Sequence, residues 1–282
     1  MHNFCGCSCA ILFLLPGQDG FIGVIFLSKD VQVLWQDIIR TTREDSPGGA
    51  WEIWMRTCEP LEVVDGMLEI GAAATYTQAL DSAAVPEILK EAMRTIAAPA
   101  IRNAGTMGGN VANGSPKADS ALIFAVTDST LVLSSEKGNR QVPIAEFYLG
   151  RGKTVLREDE LLTKIVMPLA NVRDYYYHKI GARGALAIAR VSFAGLMRIE
   201  GGSIRHAATA FGAVAGTIIR RADIDGMLIG RTLEEARKIR GDYVAAMDEA
   251  IQPIRGRTSA EYRKKVLMNL IDDFLNKYGI TG

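Results

Sequence analysis

The sequence predicts an α+β protein of two domains, and three observations carry that reading. Its 282 residues are enough for two cores of roughly 150 residues each. Apolar residues recur at period two in some stretches and at helical spacing in others, without the regular strand–helix alternation of a doubly wound sheet. The composition, 48% hydrophobic and 23% charged, is that of a packed chain and excludes a mainly disordered, collagen-like or disulfide-dense one.

The elements follow in chain order. The apolar run Ala10 to Leu15 is far short of the ~18 residues that span a bilayer, and Met1-His2-Asn3 supplies no basic region for a signal peptide, so a cytoplasmic protein without a membrane span is expected. Phe21 to Leu27, bounded by glycine and Ser28, reads as a buried strand. Val31, Leu34, Trp35, Ile38 and Ile39 predict an amphipathic helix over Asp30 to Ile39. A glycine turn at Ser46 to Gly49 and a short strand at Met67 to Gly71 come next. Thr77 to Ala92 reads as helical, with Pro86 as a break or a helix start. Arg102 to Asp119 has the composition of a loop. Ser115 as N-cap with Pro116 at the first helical position then launches a helix over Ala118 to Val126. Strands are expected at Thr130 to Ser135 and Arg140 to Val142 around a Lys137-Gly138-Asn139 turn, the second ended by Pro143.

After Pro168 the texture changes. Tyr175 to Ile180, Val191 to Ile199 and Ile204 to Val214 predict three strands, the last two joined by Gly201-Gly202. Two helices close the chain, opened by capping boxes at Thr232 with Glu235 and at Thr258 with Glu261. In the last, Tyr262, Val266, Leu267, Leu270, Ile271 and Phe274 form one stripe. A domain boundary therefore falls near residues 168 to 174.

Several chemistries are excluded. The 32 basic and 32 acidic residues balance, which removes the electrostatic footprint of a nucleic-acid binder and makes a partner subunit reasonable. Cys5, Cys7 and Cys9 form C-x-C-x-C with no second Cys or His pair to complete a tetrahedral site, so they read as an irregular chain end rather than a metal centre. The three histidines, His2, His178 and His206, do not cluster with a nucleophile. No side chain is assigned as a catalytic acid or base, and any redox reactivity would come from a cofactor.

The informative segment is Ile101 to Asp119, I-R-N-A-G-T-M-G-G-N-V-A-N-G-S-P-K-A-D. Gly105, Gly108, Gly109 and Gly114 allow close backbone approach, and turns of this kind gather N–H groups into a concavity for phosphate. Thr106, Asn110, Asn113 and Ser115 add neutral donors and acceptors, and Asp119 can accept from sugar hydroxyls. The plain alternative is a glycine-rich connection that caps a helix.

Taken whole, the string resembles R-N-x-G-T-x-G-G-N-x-A-N-x-S-P-x-A-D, the FAD-binding signature of the medium, flavoprotein subunits of molybdenum hydroxylases such as xanthine and carbon monoxide dehydrogenases. Leu68-Glu-Ile-Gly-Ala72, Gly152-Lys-Thr154, Asp159-Glu-Leu-Leu162, Ile165-Val-Met-Pro168, Lys179-Ile-Gly and Ser259-Ala-Glu-Tyr-Arg263 are also similar to that family, so the resemblance covers about residues 68 to 278. It implies a two-lobed FAD domain of the vanillyl-alcohol-oxidase/PCMH type over residues 1–170, with an atypical N-terminal lobe over about 1–67 and a second lobe over about 68–170. A small C-terminal domain with a three-stranded antiparallel sheet and helices would occupy 171–282. It implies FAD contacts from Thr106, Gly108, Gly109, Asn110, Asn113 and Asp119, with Leu162 packed near the flavin ring and Lys179 close to it. Leu162 also suits a plain core position, and Lys179 a solvated strand. The implied partners are a small [2Fe–2S] subunit and a large molybdopterin subunit, with NAD or another molecule as electron acceptor. The family's second glycine loop, A-G-G-T-[DE]-[LI], is matched by Gly48 and Gly49 in Pro47-Gly-Gly-Ala-Trp-Glu-Ile53, where Ala50 and Trp51 stand in place of one threonine. That departure raises an alternative: a scaffold subunit of the same complex that has lost FAD.

Overall fold

The computed structural model describes residues 61–184, 186–256 and 258–282, together with the backbone of two strands near the N-terminus. The chain forms two compact units, Met1–Met55 and Arg56–Gly282. In the first, β1 (Ala10–Leu14) pairs antiparallel with β2 (Ile22–Phe26). The expected strand is β2; its partner, an apolar run in the sequence, is a strand as well. The helix expected over residues 30–39 and the glycine turn at 46–49 lie outside the described residues.

The second unit opens with a hairpin, β3 (Glu62–Val64) and β4 (Met67–Gly71), closed by Asp65-Gly66 with both residues at positive φ, as a two-residue turn between right-twisted strands demands. Two helices follow where the sequence predicts one helical stretch. They are α1 (Tyr76–Asp81), with a capping box from Thr75 and Gln78, and α2 (Glu87–Arg94), whose N-cap is Pro86. The expected loop contains two further short helices, α3 (Pro99–Ala104) and α4 (Met107–Ala112), started by Pro99 at the first turn and by the Thr106 hydroxyl.

The next helix, α5 (Asp119–Val126), begins later than the Ser115-Pro116 signal suggested. Its N-cap is Ala118 in extended conformation, and Ser115 instead closes a turn, its carbonyl accepting from Ala118 N at 3.2 Å. All eight residues of α5 are buried; Ala121 to Val126 are apolar on every side, and the polar Asp119 and Ser120 open the helix. Then come β5 (Thr130–Ser135), β6 (Gly138–Pro143), α6 (Ile144–Phe147), β7 (Tyr148–Gly150), β8 (Lys153–Thr154) and β9 (Leu161–Pro168). An antiparallel sheet of order β3-β4-β9-β5-β6 results, with β9 at its centre.

The second sheet contains the three expected strands, β10 (Tyr175–Ile180), β11 (Val191–Glu200) and β12 (Ser203–Gly212), with Gly201 and Gly202 at positive φ in the turn. A two-residue β13 (Ile219–Arg220) adds a fourth, in the order β10-β11-β12-β13, so the sheet is four-stranded rather than three-stranded. Two residues carry too little periodicity to be read from sequence. The helices are α7 (Ala222–Asp225), α8 (Leu233–Lys238), α9 (Arg240–Ala250) and α10 (Ala260–Lys277). Thr232 and Glu235 form their capping box at α8, but α10 is capped by Ser259, whose hydroxyl accepts from Tyr262 N at 3.1 Å. The Thr258 hydroxyl accepts from Arg263 instead.

This sheet is buried on both faces, and the period of two sorts its residues. Ala194, Leu196, Ala208 and Ala210 join the core around α5, whereas Phe193, Met197, Ala207 and Phe211 pack with Leu267, Leu270, Ile271 and Phe274 of α10. Alanines on the α5 side let the helix approach the strands closely. On the other side, a Cβ at Gly195 would lie 2.5 Å from the Phe274 ring, so glycine makes room for it. Of the predicted α10 stripe, Tyr262 is exposed.

Candidate functional site

The conspicuous polar face of the second unit lies on α4. The Thr106 hydroxyl caps this helix, accepting from Gly109 N at 3.0 Å. Residues 106, 109, 110 and 113 then fall on one side of the helix by their i, i+3, i+4, i+7 spacing. Burial agrees with the spacing: Gly109 and Asn113 are exposed and Thr106 and Asn110 half-buried, while Met107, Gly108 and Val111 are buried.

Gly108 therefore belongs to the opposite face from its neighbour. A Cβ there would sit 2.4 Å from the Ala72 Cβ, and its N–H donates to the Ala72 carbonyl at 2.8 Å. Packing against the end of β4 explains this glycine. The expected concavity of backbone N–H groups is also not what the segment forms. The N–H groups of Gly105, Gly108, Gly109 and Gly114 donate to Ile101 O, Ala72 O, Thr106 Oγ1 and Val111 O. The polar rim is made of side chains, because the short helices consume the backbone donors.

A chain of hydrogen bonds leads inward from this rim. Ser120 Oγ donates to Asn110 Oδ1 at 2.8 Å, which leaves the Asn110 amide nitrogen as its donor end. The Tyr76 hydroxyl lies 3.2 Å from the same Ser120 Oγ. Burial pushes the Tyr76 phenol up to about 12, keeping its proton in place. Beside Ser120, at the first position of α5, stands Asp119. Its Oδ2 accepts from Lys179 Nζ of β10 at 2.6 Å, and Nζ also donates to Thr95 O at 3.0 Å. Both side chains of this ion pair are buried. Burial holds the Asp119 carboxyl above its ordinary range, with the Lys179 charge acting in the opposite direction. Asp119 Oδ1 has no hydrogen-bond partner among the described residues, and the buried Tyr177 hydroxyl, on the same strand as Lys179, lies beside the Thr95 side chain.

The structure thus brings Thr106, Gly109, Asn110 and Asn113 onto one face and ties it, through Ser120, to the helix start that carries Asp119 and Lys179. Leu162, on β9, is buried in the hydrophobic core that also contains Tyr76, Met107 and Val111, while its neighbour Leu161 is exposed. Gly48 and Gly49 lie outside the described residues. Sequence reasoning missed Thr95, Ser120 and Tyr177. Only Tyr177 had a legible signal, two residues before Lys179 and so on the same face of its strand.

FAD, the cofactor implied by the resemblance, can be tested against these residues. They fit it on two counts. Asp119 keeps a buried carboxylate oxygen without a partner among the described residues, which a ligand hydroxyl would satisfy. Among the described residues, a Cβ at the exposed Gly109 would meet only the capping Thr106 hydroxyl, at 2.7 Å, so no other described group covers the helix face there.

Comparison with known proteins agrees. Residues 55–170 match the family described as FAD binding domain in molybdopterin dehydrogenase, and residues 176–278 match the CO dehydrogenase flavoprotein C-terminal domain. The chain is 32% identical over 219 residues to the xanthine dehydrogenase FAD-binding subunit of Escherichia coli O157:H7, covering 76% of this chain and 73% of that protein. It is 31% identical over 191 residues to the carbon monoxide dehydrogenase medium chain of Hydrogenophaga pseudoflava, covering 67% and 66%. In structure it is similar to a chain of the Cu,Mo-CO dehydrogenase, with a TM-score of 0.69 at 28% identity and 76% of each chain covered. The chain belongs to the family of FAD-binding, medium subunits of the molybdenum hydroxylases, and is an oxidoreductase subunit of the xanthine dehydrogenase-like type.

Proposed function

We propose that this chain carries FAD as the electron-transfer subunit of a cytoplasmic molybdenum hydroxylase. It would accept electrons from a small [2Fe–2S] subunit, itself served by a large molybdopterin subunit, and pass them to NAD or another acceptor. On this reading residues 1–170 are a two-lobed FAD domain of the vanillyl-alcohol-oxidase/PCMH type and residues 171–282 the C-terminal domain. Once bound, the flavin supplies the redox chemistry. This chain's part is to bind and orient it. Thr106, Asn110 and Asn113 offer neutral hydrogen bonds across the open Gly109, and Asp119 accepts from a hydroxyl. Lys179 would bring an ammonium toward the flavin, its charge offset in part by the Asp119 carboxylate 2.6 Å away.

The observation that carries the reading is the single polar face of Thr106, Gly109, Asn110 and Asn113, hydrogen-bonded through Ser120 to the start of the helix that bears Asp119. Reconstitution with FAD followed by gel filtration tests it. A flavin band in the visible spectrum that stays with the protein is expected, and Gly109→Val should abolish it. Absence of bound flavin in the wild-type protein favours the second reading, an FAD-free scaffold, whose motive is Ala50 and Trp51 in place of the loop threonine.

A further inference from the structure

Three successive carbonyls of one short turn accept hydrogen bonds from two cations, one of them 84 positions away in the chain. The turn is Thr95 to Ala98, which joins α2 to α3. Thr95 O accepts from Lys179 Nζ at 3.0 Å, while Arg102 Nη1 donates to Ile96 O at 2.8 Å and to Ala97 O at 2.7 Å. Between these contacts Ala97 holds φ at +48°, in the left-handed region that a Cβ disfavours. Such a conformation at a residue other than glycine persists only where its surroundings hold it. The helix bonds end on either side: Ile96 N donates to Met93 O, and Ile101 N and Arg102 N donate to Ala98 O. The Ile96 and Ala97 carbonyls lie between, and the Arg102 guanidinium is their partner.

Lys179 needs this turn. Asp119 Oδ2 fixes how far the ammonium lies from one anion, but a single partner leaves its direction open. Thr95 O supplies the second point, and it does so only while the turn keeps its shape. We propose that Arg102 is a positioning residue for Lys179: by holding Ile96 and Ala97 it keeps the Thr95 carbonyl on the ammonium and so fixes where that charge stands toward the cofactor. One guanidinium nitrogen carries two hydrogens, enough for two adjacent carbonyls. Arg102 lies on α3, which leads directly into the Thr106 cap of α4, so one helix serves both the polar face and the charge on β10. Only the last step, toward the cofactor, rests on the FAD reading.

The first test needs no cofactor. Lysine acetylation of the folded, FAD-free full chain is followed residue by residue by mass spectrometry, wild type against Arg102→Gln. Lys179, whose side chain is buried, is expected to react about three- to tenfold faster in the variant. Lys164, paired with Glu69 across β9 and β4, should keep its rate. Equal rates at Lys179 overturn the inference, and so does an equal rise at both lysines, which reports general loosening. Ala97→Gly added to Arg102→Gln should restore the slow reaction, because glycine takes positive φ unaided; failure to restore it also overturns the inference. Should Arg102→Gln fail to fold, Ala97→Val takes its place. A β-branched residue resists positive φ with both cations intact, so Lys179 should again react faster, and an unchanged rate overturns the inference.

The second test titrates the same chains with FAD. A Kd about three- to tenfold weaker is expected for Arg102→Gln, and equal affinity overturns the inference while leaving the FAD reading in place. A wild-type chain that binds no FAD overturns that reading, and the acetylation rates then decide by themselves whether Arg102 holds Lys179.

Discussion

Lys179 Nζ lies 2.6 Å from Asp119 Oδ2 and 3.0 Å from Thr95 O, so one ammonium joins three elements distant in sequence. Thr95 is the C-cap of α2 and Asp119 the first residue of α5. The cation thus sits at a helix C-terminus and the anion at a helix N-terminus, each favoured by the local backbone dipoles. Two residues singled out separately as cofactor contacts are each other's partners.

Lys179→Met should therefore destabilise the protein by about 3–5 kcal/mol at neutral pH, because Asp119 is left as an uncompensated buried charge. The loss should shrink in acid. Burial raises the folded-state value of Asp119 above its unfolded one, so the folded variant binds the proton more readily and stability falls as pH rises between the two. Denaturant midpoints at about pH 4.5 and about pH 7.5, compared with wild type, check this; an equal deficit at both would contradict it.

Glu160 should show the opposite sign. Its oxygens accept from Arg140 Nε at 2.6 Å, Arg140 Nη2 at 2.8 Å and Arg157 N at 2.9 Å. The Arg140 hydrogen bonds, above all, lower its carboxyl to about 2. That stability is present above the unfolded value and is lost as pH falls toward about 2. Glu160→Gln should cost about 1–2 kcal/mol at neutral pH, a figure kept small because the Arg140 side chain is partly exposed. The difference from wild type should fade in acid-denaturation curves.

Gly108→Ala should lower the unfolding midpoint without regard to any ligand, since the new Cβ would lie 2.4 Å from the Ala72 Cβ and 2.9 Å from its Cα. Overpacking of this kind costs about 1–3 kcal/mol. Thermal unfolding of the cofactor-free protein measures it, and an unchanged midpoint would show that β4 can yield.

Phe274→Ala should cost about 3–5 kcal/mol. The ring is fully buried, 5.6 Å from Phe193, and fills the space that Gly195 leaves. Urea unfolding with an unchanged slope is the expected signature of this cavity.

Much of the fold was legible because its signals are local. Met67 to Gly71, Thr130 to Ser135 and Tyr175 to Ile180 carry strand patterns bounded by turns, and Thr232 with Glu235 announces a helix through neighbours in the chain. The short helices at Pro99–Ala104 and Met107–Ala112 were not legible, because six residues with three glycines between positions 105 and 109 look like a loop until tertiary hydrogen bonds hold them. Met107 N donates to Ala74 O and Gly108 N to Ala72 O, partners more than thirty positions away.

The sequence by itself determined the family, the α+β class and the residues Thr106, Gly109, Asn110, Asn113, Asp119 and Lys179 as the place to look. A long string of specific residues is information carried in one dimension. Only the tertiary structure decided that Gly108 faces the core, that Leu162 is buried in it, and that Lys179 pairs with Asp119 while Tyr177 stands beside them. Which side of a helix is buried, and which charge meets which, depends on the elements packed against it, and those come from remote parts of the chain.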